Sequence, residues 1–124
     1  MSEIPVEAQV APSKTKVDVN LNKALITAKV SDSALEKILP FSTDLELRER
    51  YINFFNGLRL GKLLEDLDLI AGQVAYRHTE GWERGMTIVT AACDRIDLLG
   101  ELRSDRDLQL LSSINWVGRS SIEV

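Results

Sequence analysis

A long amphipathic pattern in the middle of the chain constrains the fold more than any other feature. At about 100° per residue, its apolar positions fall in one stripe that covers less than half of a helix circumference: Leu60, Leu63, Leu64, Leu67, Ile70, Ala71, Val74 and Ala75. The pattern predicts a helix over residues 58–75, with this stripe against a core. Lys62 and Asp66 would then point away from the core, and residues 77–81 would lead out into a loop.

The residues after this helix are typical of β-structure. Residues 86–93 and 108–117 are rich in β-branched and apolar side chains at strand length. Gly118 and Arg119 separate the second of these segments from residues 120–124, which predicts a two-residue hairpin with a positive φ at the glycine. A long helix combined with antiparallel strands indicates an α+β fold, in which a sheet packs on one helix.

The residues before the central helix give weaker patterns. Alternation early in residues 17–30 favours a strand over part of a short helix. Asp32 or Ser33 can cap a short helix that runs to Ile38. The charge spacing of residues 44–52 is helical.

The length and composition fit one soluble globular domain. The chain has 124 residues, of which 44% are hydrophobic and 27% charged. Residues 1–16 lack periodicity and are predicted to be a flexible arm, which leaves residues 17–124 as the domain. No apolar run approaches the roughly 20 residues that a transmembrane helix needs. No secretory signal or typical mitochondrial presequence is visible at the N-terminus.

Charge and chemistry-bearing residues exclude several function classes. The net charge of −4 and the absence of a long Lys/Arg cluster argue against nucleic acid as a partner. Cys93 and His78 are the single cysteine and histidine, so no Cys/His cluster predicts a metal site. Any Ser-His-Asp mechanism would have to use His78, which is expected instead to be a structural or loop residue at the far end of the helix.

One constellation around the helix start suits acyl-transfer chemistry. Gly61 and Asp68 are seven residues apart, so they share one line along the helix, at the rim of the apolar stripe where a carboxylate is partly desolvated. The unpaired N–H groups near Leu60 and Gly61 could stabilise an oxyanion. Asn53, eight residues before Gly61, could hold a water or orient a carbonyl. Asp68 could then act as general base or as nucleophile.

The same residues also have a purely structural interpretation. Asp68 could be a surface acid paired with Lys or Arg, Gly61 a close helix packing contact, and Asn53 a turn residue. Spacing by itself does not choose between these alternatives.

Short sequence blocks in the last two-thirds of the chain carry a family resemblance. Through them, the chain from about residue 39 to 124 resembles the acyl-CoA thioesterases of the hotdog fold, in particular the mitochondrial-type branch with two hotdog domains in one polypeptide. The blocks are Leu39-Pro-Phe-Ser, Leu47-Arg-Glu-Arg-Tyr51, Arg59-Leu-Gly-Lys-Leu-Leu-Glu-Asp-Leu-Asp68, Ala75-Tyr-Arg-His78, Ile88-Val-Thr-Ala, Asp94-Arg-Ile-Asp97 and Ile114-Asn-Trp-Val-Gly-Arg-Ser-Ser-Ile-Glu-Val124.

The resemblance assigns roles to the residues around the helix start. Hotdog thioesterases commonly carry a polar residue, a His-Gly-Gly whose last glycine lies eight residues later, and an acid seven residues beyond that glycine. Asn53, Gly61 and Asp68 fall on these three positions and are the implied catalytic residues. The His-Gly pair is replaced by Arg59 and Leu60, which would bind substrate. Arg59 either contacts the phosphates of coenzyme A or is a surface residue of the helix start.

The resemblance also implies a function and partners. It implies a sheet wrapped around the central helix, and hydrolysis of acyl-CoA thioesters to a carboxylic acid and coenzyme A in fatty acid and lipid metabolism. No cofactor is implied, because coenzyme A is part of the substrate. The active site would form between two hotdog units, in a homodimer or with a second hotdog domain. The family domain normally continues beyond the hairpin, so the resemblance implies either a fragment of a longer thioesterase or a partner that supplies the missing sheet edge. The implied location is mitochondrial, with a cytoplasmic location as the alternative.

Two other functions are considered. The chain could be a non-catalytic, acyl-CoA-binding or pairing half of a larger hotdog assembly. A hotdog hydratase acting on enoyl thioesters is less favoured, because those sites usually use a histidine near the helix start.

Overall fold

The described structure is an α+β arrangement of one long helix and short antiparallel strands. A computed structural model describes residues 27–124. The predicted arm at residues 1–16 and most of the strand predicted within residues 17–30 lie outside the described residues. The elements, in chain order, are α1 (Val30–Ser33), β1 (Leu35–Leu39), α2 (Leu45–Tyr51), α3 (Leu60–Thr79), β2 (Leu108–Ser112), β3 (Trp116–Val117) and β4 (Ile122–Glu123). The prediction of a long helix with antiparallel strands is confirmed.

Strand β1 replaces the second half of a predicted helix. The helix expected to run to Ile38 ends at Ser33. Strand β1 then pairs antiparallel with β2, with Lys37 opposite Leu110. Burial along β1 alternates, and Leu39 is fully buried whereas Ile38 is exposed. This period of two is typical of a half-buried strand. Residues 35–39 form a strand because they pair with a segment about 70 residues away.

Helix α2 forms where the charge spacing predicted it. The side chain of Asp44, the N-cap residue, accepts a hydrogen bond of 2.9 Å from the Leu47 N–H. This bond satisfies one of the N–H groups that a helix start leaves without a partner. The last residue of the helix, Tyr51, is buried.

Helix α3 begins and ends a few residues later than predicted. It runs from Leu60 to Thr79. Glu80 follows in the left-handed conformation, with φ of 51°, and the Gly81 N–H donates to the Tyr76 carbonyl oxygen at 2.8 Å. This C-terminal cap, rather than a loop at residue 77, ends the helix.

The buried face of α3 is rotated from the predicted stripe. Leu60 and Leu67, which were expected to be buried, are each 40% exposed. Asp66, which was expected to face solvent, is 8% exposed, and the prediction for it is wrong. The buried positions are Leu63, Asp66, Ile70, Val74 and Ala75. Tertiary contacts cause the rotation, because the residues packed against α3 include partners for the Asp66 carboxylate.

The hydrophobic core lies where β1, β2, the end of α2 and the first half of α3 meet. Phe41 is completely buried at its centre, and its ring lies 5.1 Å from the ring of Tyr51. The buried residues of this cluster are Leu39, Phe41, Tyr51, Leu63, Ile70 and Leu110. The core therefore fixes the first half of α3 against the end of α2.

The C-terminal hairpin forms, with a different loop. The strand predicted over residues 108–117 is divided into β2 and β3. Strand β3 pairs with β4 through Trp116 opposite Glu123. The connection has four residues rather than two, and the Gly118 N–H donates to the Ser121 carbonyl oxygen at 2.8 Å. Gly118 is not among the residues with positive φ. The Trp116 ring lies against Gly118, where a Cβ would require the exposed ring to shift.

Residues 86–93 do not form the predicted strand. They form neither a helix nor a strand and are mostly exposed, and no strand among residues 27–124 pairs with them. Side-chain bonds attach them to α3, one from the Ile88 N–H to the Tyr76 hydroxyl at 2.9 Å and one from the Thr90 hydroxyl to Asp68. Their β-propensity describes how well they would fit a paired, pleated surface, and such a surface requires a neighbouring strand.

Candidate active site

The loop that carries Asn53 is closed at its base and tied together by the Asn53 side chain. Ile52 and Leu58 form an antiparallel bridge, and the Asn53 N–H donates to the Gly57 carbonyl oxygen at 2.8 Å. Asn53 Oδ1 accepts hydrogen bonds from the N–H groups of Phe55 and Gly57, at 2.9 and 3.0 Å. The side-chain oxygen therefore holds the loop, which is the turn role of the structural interpretation.

The start of α3 is open. Arg59 is the N-cap residue, its side chain makes no capping hydrogen bond, and the first turn contains no acidic residue. Arg59, Leu60 and Gly61 are all exposed, and among residues 27–124 no atom beyond the adjoining helix itself lies within 4 Å of the place where a Cβ of Gly61 would stand. In this part of the chain, Gly61 is therefore not a close helix packing contact. The positive end of the helix dipole faces open space that a ligand could enter.

Asp68 lies on the same flank of α3, two turns after Gly61. Its Oδ1 accepts a hydrogen bond of 2.5 Å from the Thr90 hydroxyl. Asp68 is exposed, so the partial desolvation expected for it at the rim of the stripe is absent. Among the described contacts its partner is a threonine, not the Lys or Arg of the structural interpretation.

The loop that carries Asn53 lies next to the start of α3, whereas Asp68 lies farther along the helix. The Arg59 N–H donates to the Tyr51 carbonyl oxygen at 2.6 Å, directly beside the base of the Asn53 loop. Seven residues of helix separate Gly61 from Asp68 by about 10 Å along the axis. Within one copy, therefore, the loop and the helix start are neighbours, and the acid lies farther along.

A buried polar cluster beside this region was missed from the sequence. Asp66 accepts a hydrogen bond of 2.5 Å from the Tyr51 hydroxyl and one of 2.7 Å from Lys37 Nζ. Asp66 lies three residues after Leu63 and four before Ile70, so it shares their face. That spacing was the available signal, but the angle counted from Leu60 placed Asp66 away from the predicted apolar stripe.

The cluster shifts the acidity of its own members. Burial raises the pKa of Asp66, but the hydrogen bonds from Lys37 and Tyr51 outweigh burial, so its pKa lies below the ordinary value. Burial, followed by the hydrogen bond to Asp66 and the charge of that carboxylate, raises the pKa of Tyr51 to about 12. At neutral pH the cluster therefore contains a carboxylate and a neutral phenol.

His78 is paired with a serine at the other end of α3. Ser33 Oγ and His78 Nδ1 share a hydrogen bond of 2.8 Å, and Ser33 Oγ also lies 3.3 Å from the Val30 carbonyl oxygen. Ser33 is 1% exposed. A substrate cannot reach a serine buried in this way, so the pair serves to attach α1 to α3.

The described residues contain neither a candidate metal-binding cluster nor a helix suited to span a membrane. Residues 27–124 contain no group of three or more His, Cys, Asp or Glu side chains placed to hold a metal ion. In the same part of the chain, no helix combines the length and the apolar character needed to cross a bilayer.

Comparison with known proteins shows what the chain is similar to. It is 40% identical over 103 residues to acyl-coenzyme A thioesterase 4, mitochondrial, of Humulus lupulus. The compared stretch covers 81% of this chain and 20% of that relative. It is 42% identical over 103 residues to acyl-coenzyme A thioesterase 2, chloroplastic, of the same plant, covering 81% and 24%. Acyl-coenzyme A thioesterase 9, mitochondrial, of Mus musculus is 38% identical over 106 residues, covering 82% and 24%.

The chain spans about a fifth to a quarter of the length of these relatives. No family model matches the chain. No solved structure matches it. Along the compared stretch the chain is similar to proteins named acyl-CoA thioesterases, as its sequence blocks predicted.

Proposed function

We propose that the chain is a hotdog unit of an enzyme that hydrolyses acyl-CoA thioesters to a carboxylic acid and coenzyme A. One observation carries the proposal, namely its 36–42% identity, over 77–82% of its length, to proteins named acyl-CoA thioesterases. The α+β architecture, with one long helix and antiparallel strands, is consistent with a hotdog fold.

The thioester carbonyl would bind at the open start of α3. N–H groups near Leu60 and Gly61 would donate to the oxyanion that develops when the carbonyl is attacked. Gly61 favours this approach because no side chain or neighbouring element of the described residues 27–124 lies against it. The exposed guanidinium of Arg59 could form charge-assisted bonds to the phosphates of coenzyme A. Asn53 Nδ2 could orient the attacking water or the carbonyl.

Asp68 would act on a carbonyl held by a second hotdog unit. A general base must come within about 3 Å of the proton that it removes, or reach it through one water. Asp68 is about 10 Å along the axis from Gly61 of its own helix, so it cannot serve that helix start directly. An exposed carboxylate can reach a neighbouring unit, which supports a site made by two units, as a homodimer or with a second hotdog domain.

The names of the relatives bear on location. Most of the relatives found are named mitochondrial, and one is named chloroplastic. We therefore propose a mitochondrial location, with a cytoplasmic location as the alternative. Imaging of the tagged protein together with a mitochondrial marker would separate the two.

The test of the proposed function is release of free thiol from a panel of acyl-CoAs. Asp68→Asn removes the base and nearly preserves the shape, so kcat should fall about a hundredfold or more. Asp94→Asn makes the same chemical change at another exposed acid and should leave kcat unchanged. Wild-type kcat in Asp68→Asn would refute the role of Asp68. Binding of acyl-CoA by the wild type without thiol release would favour the non-catalytic pairing half, and loss of enoyl absorbance would indicate the hydratase.

A further inference from the structure

The half-exposed Lys37 and the buried Tyr51 and Asp66 form a polar cluster that connects three elements. Lys37 belongs to β1, Tyr51 is the last residue of α2, and Asp66 lies in the second turn of α3. Asp66 and Tyr51 are 8% and 5% exposed, and the bond between the carboxylate and the phenol is 2.5 Å. Because both partners are almost completely buried, this bond exchanges little with water, and it limits movement of α3 relative to the end of α2.

The backbone of Tyr51 is the anchor of the candidate site. Its carbonyl oxygen accepts the hydrogen bond of 2.6 Å from Arg59, the residue that immediately precedes α3. The next residue, Ile52, forms the bridge to Leu58 that closes the Asn53 loop. The helix start is therefore attached to Tyr51 and the base of the loop to the next two residues, while the Tyr51 side chain is held by Asp66 in the second turn of α3.

These contacts form a closed series that begins and ends in the first turns of α3. From Asp66 the chain of contacts passes through the Tyr51 hydroxyl to the Tyr51 backbone, then to Arg59, and back along the first turns of α3. Lys37 supplies the counter-charge that keeps Asp66 ionised as an acceptor. Loosening one contact lets the Asn53 loop move relative to the helix start, and a misplacement of about 1 Å can cost about a hundredfold in rate.

We propose that Tyr51 and Asp66 are positioning residues, which hold the Asn53 loop against the first turn of α3 so that both meet the same thioester. The proposal rests on the function proposed above. It assigns no contact with substrate to either residue. Their effect is on the alignment of groups that act in the transition state, so it falls on kcat more than on KM.

The experiment is Tyr51→Phe, with Tyr76→Phe as its matched control. Tyr51→Phe removes one hydroxyl and keeps the ring that packs on Phe41. Tyr76→Phe also removes one hydroxyl that is hydrogen-bonded, to the Ile88 N–H, and it does so near the far end of α3. Thioester hydrolysis should show a kcat about tenfold lower in Tyr51→Phe at nearly unchanged KM, and wild-type constants in Tyr76→Phe.

Restoring the acceptor provides a second readout. Asp66→Asn keeps a side-chain oxygen that can accept from Tyr51, whereas Asp66→Ala does not. Activity should therefore be recovered in part by Asp66→Asn relative to Asp66→Ala, when both are assayed below the temperature at which either unfolds. Equal kcat in the wild type and in Tyr51→Phe, with only a lower Tm, would mean that the cluster is merely structural and would overturn the proposal.

Amide hydrogen exchange separates this proposal from the proposed function. The N–H groups of Arg59 and Gly57 should exchange faster in Tyr51→Phe than in the wild type, and their exchange should not change in Tyr76→Phe. If the wild type releases no thiol, the proposed function fails. Faster exchange at Arg59 and Gly57 would then still support the positioning role, and unchanged exchange would overturn it.

Discussion

Replacing Asp66 by alanine tests the central structural inference, that a buried carboxylate holds α3 to its neighbours. The variant leaves the buried Tyr51 hydroxyl without the acceptor that it has at 2.5 Å, and an unsatisfied buried group costs about 1–3 kcal/mol. It also removes the ion pair with Lys37, whose side chain is 41% exposed and can be rehydrated, so this loss adds no more than about 1 kcal/mol. The free energy of unfolding should fall by about 1–4 kcal/mol, with a central value of about 2.5.

Chemical and thermal unfolding, followed by circular dichroism, measure this loss. At about 4 °C per kcal/mol for a domain of this size, the central value lowers Tm by about 10 °C. Glu65→Ala is the matched control, because Glu65 precedes Asp66 on α3 and forms an exposed ion pair with Lys62. Its effect should stay within about 0.5 kcal/mol. If the Asp66→Ala variant unfolded as late as the Glu65→Ala variant, the carboxylate would not hold these elements together, and the reasoning would be refuted.

Two further predictions concern pH and the serine-histidine pair. Asp66 has a lowered pKa in the folded chain, so its stabilisation is complete above about pH 4, the ordinary range of Asp, and is lost as pH falls through the lowered value. Tyr51 has a pKa raised to about 12, so its stabilisation is present below about pH 10 and is lost as pH rises from there towards 12. Unfolding midpoints from pH 2 to 12 check both limits, and a Tyr51→Phe chain with an unchanged alkaline limit would contradict the second. Ser33→Ala breaks the 2.8 Å bond to His78 and should cost about 1–2 kcal/mol of stability without changing thiol release, whereas loss of turnover at full folding would show that Ser33 takes part in the chemistry.

The local elements of this chain could be predicted because short-range physics decides them. The period of the apolar residues in α3 and the Asp44 cap of α2 depend on neighbours within a few residues, and both helices form. The hairpin of β3 and β4 also forms, although its connection has four residues rather than two and Gly118 does not have a positive φ.

The strands depend on residues that are distant in sequence. Residues 86–93 have strong β-propensity and form no ladder within the described part of the chain, because no described strand lies beside them. The short helix predicted to run to Ile38 ends at Ser33, and residues 35–39 form β1 because β2 pairs with them. The β-propensity of a segment shows that it can form a strand, but the strand forms only where a second strand pairs with it.

The candidate site could also be predicted only in part. Spacing and family resemblance predicted Asn53, Gly61 and Asp68 as site residues. The structure adds that the helix start and Asp68 are exposed. Nothing in the linear pattern could show that Tyr51 would meet Asp66, since the hydrogen bond between them depends on how α2 packs on α3.

The amino-acid sequence alone therefore determined the long helix, its capped neighbour, the terminal hairpin and the relationship to acyl-CoA thioesterases. The tertiary structure decided which side of α3 is buried, because a helix buries the face whose side chains find packing and hydrogen-bond partners on the neighbouring elements. Here that surface offers a phenol and an ammonium group, and an acid that periodicity assigned to water is buried between them.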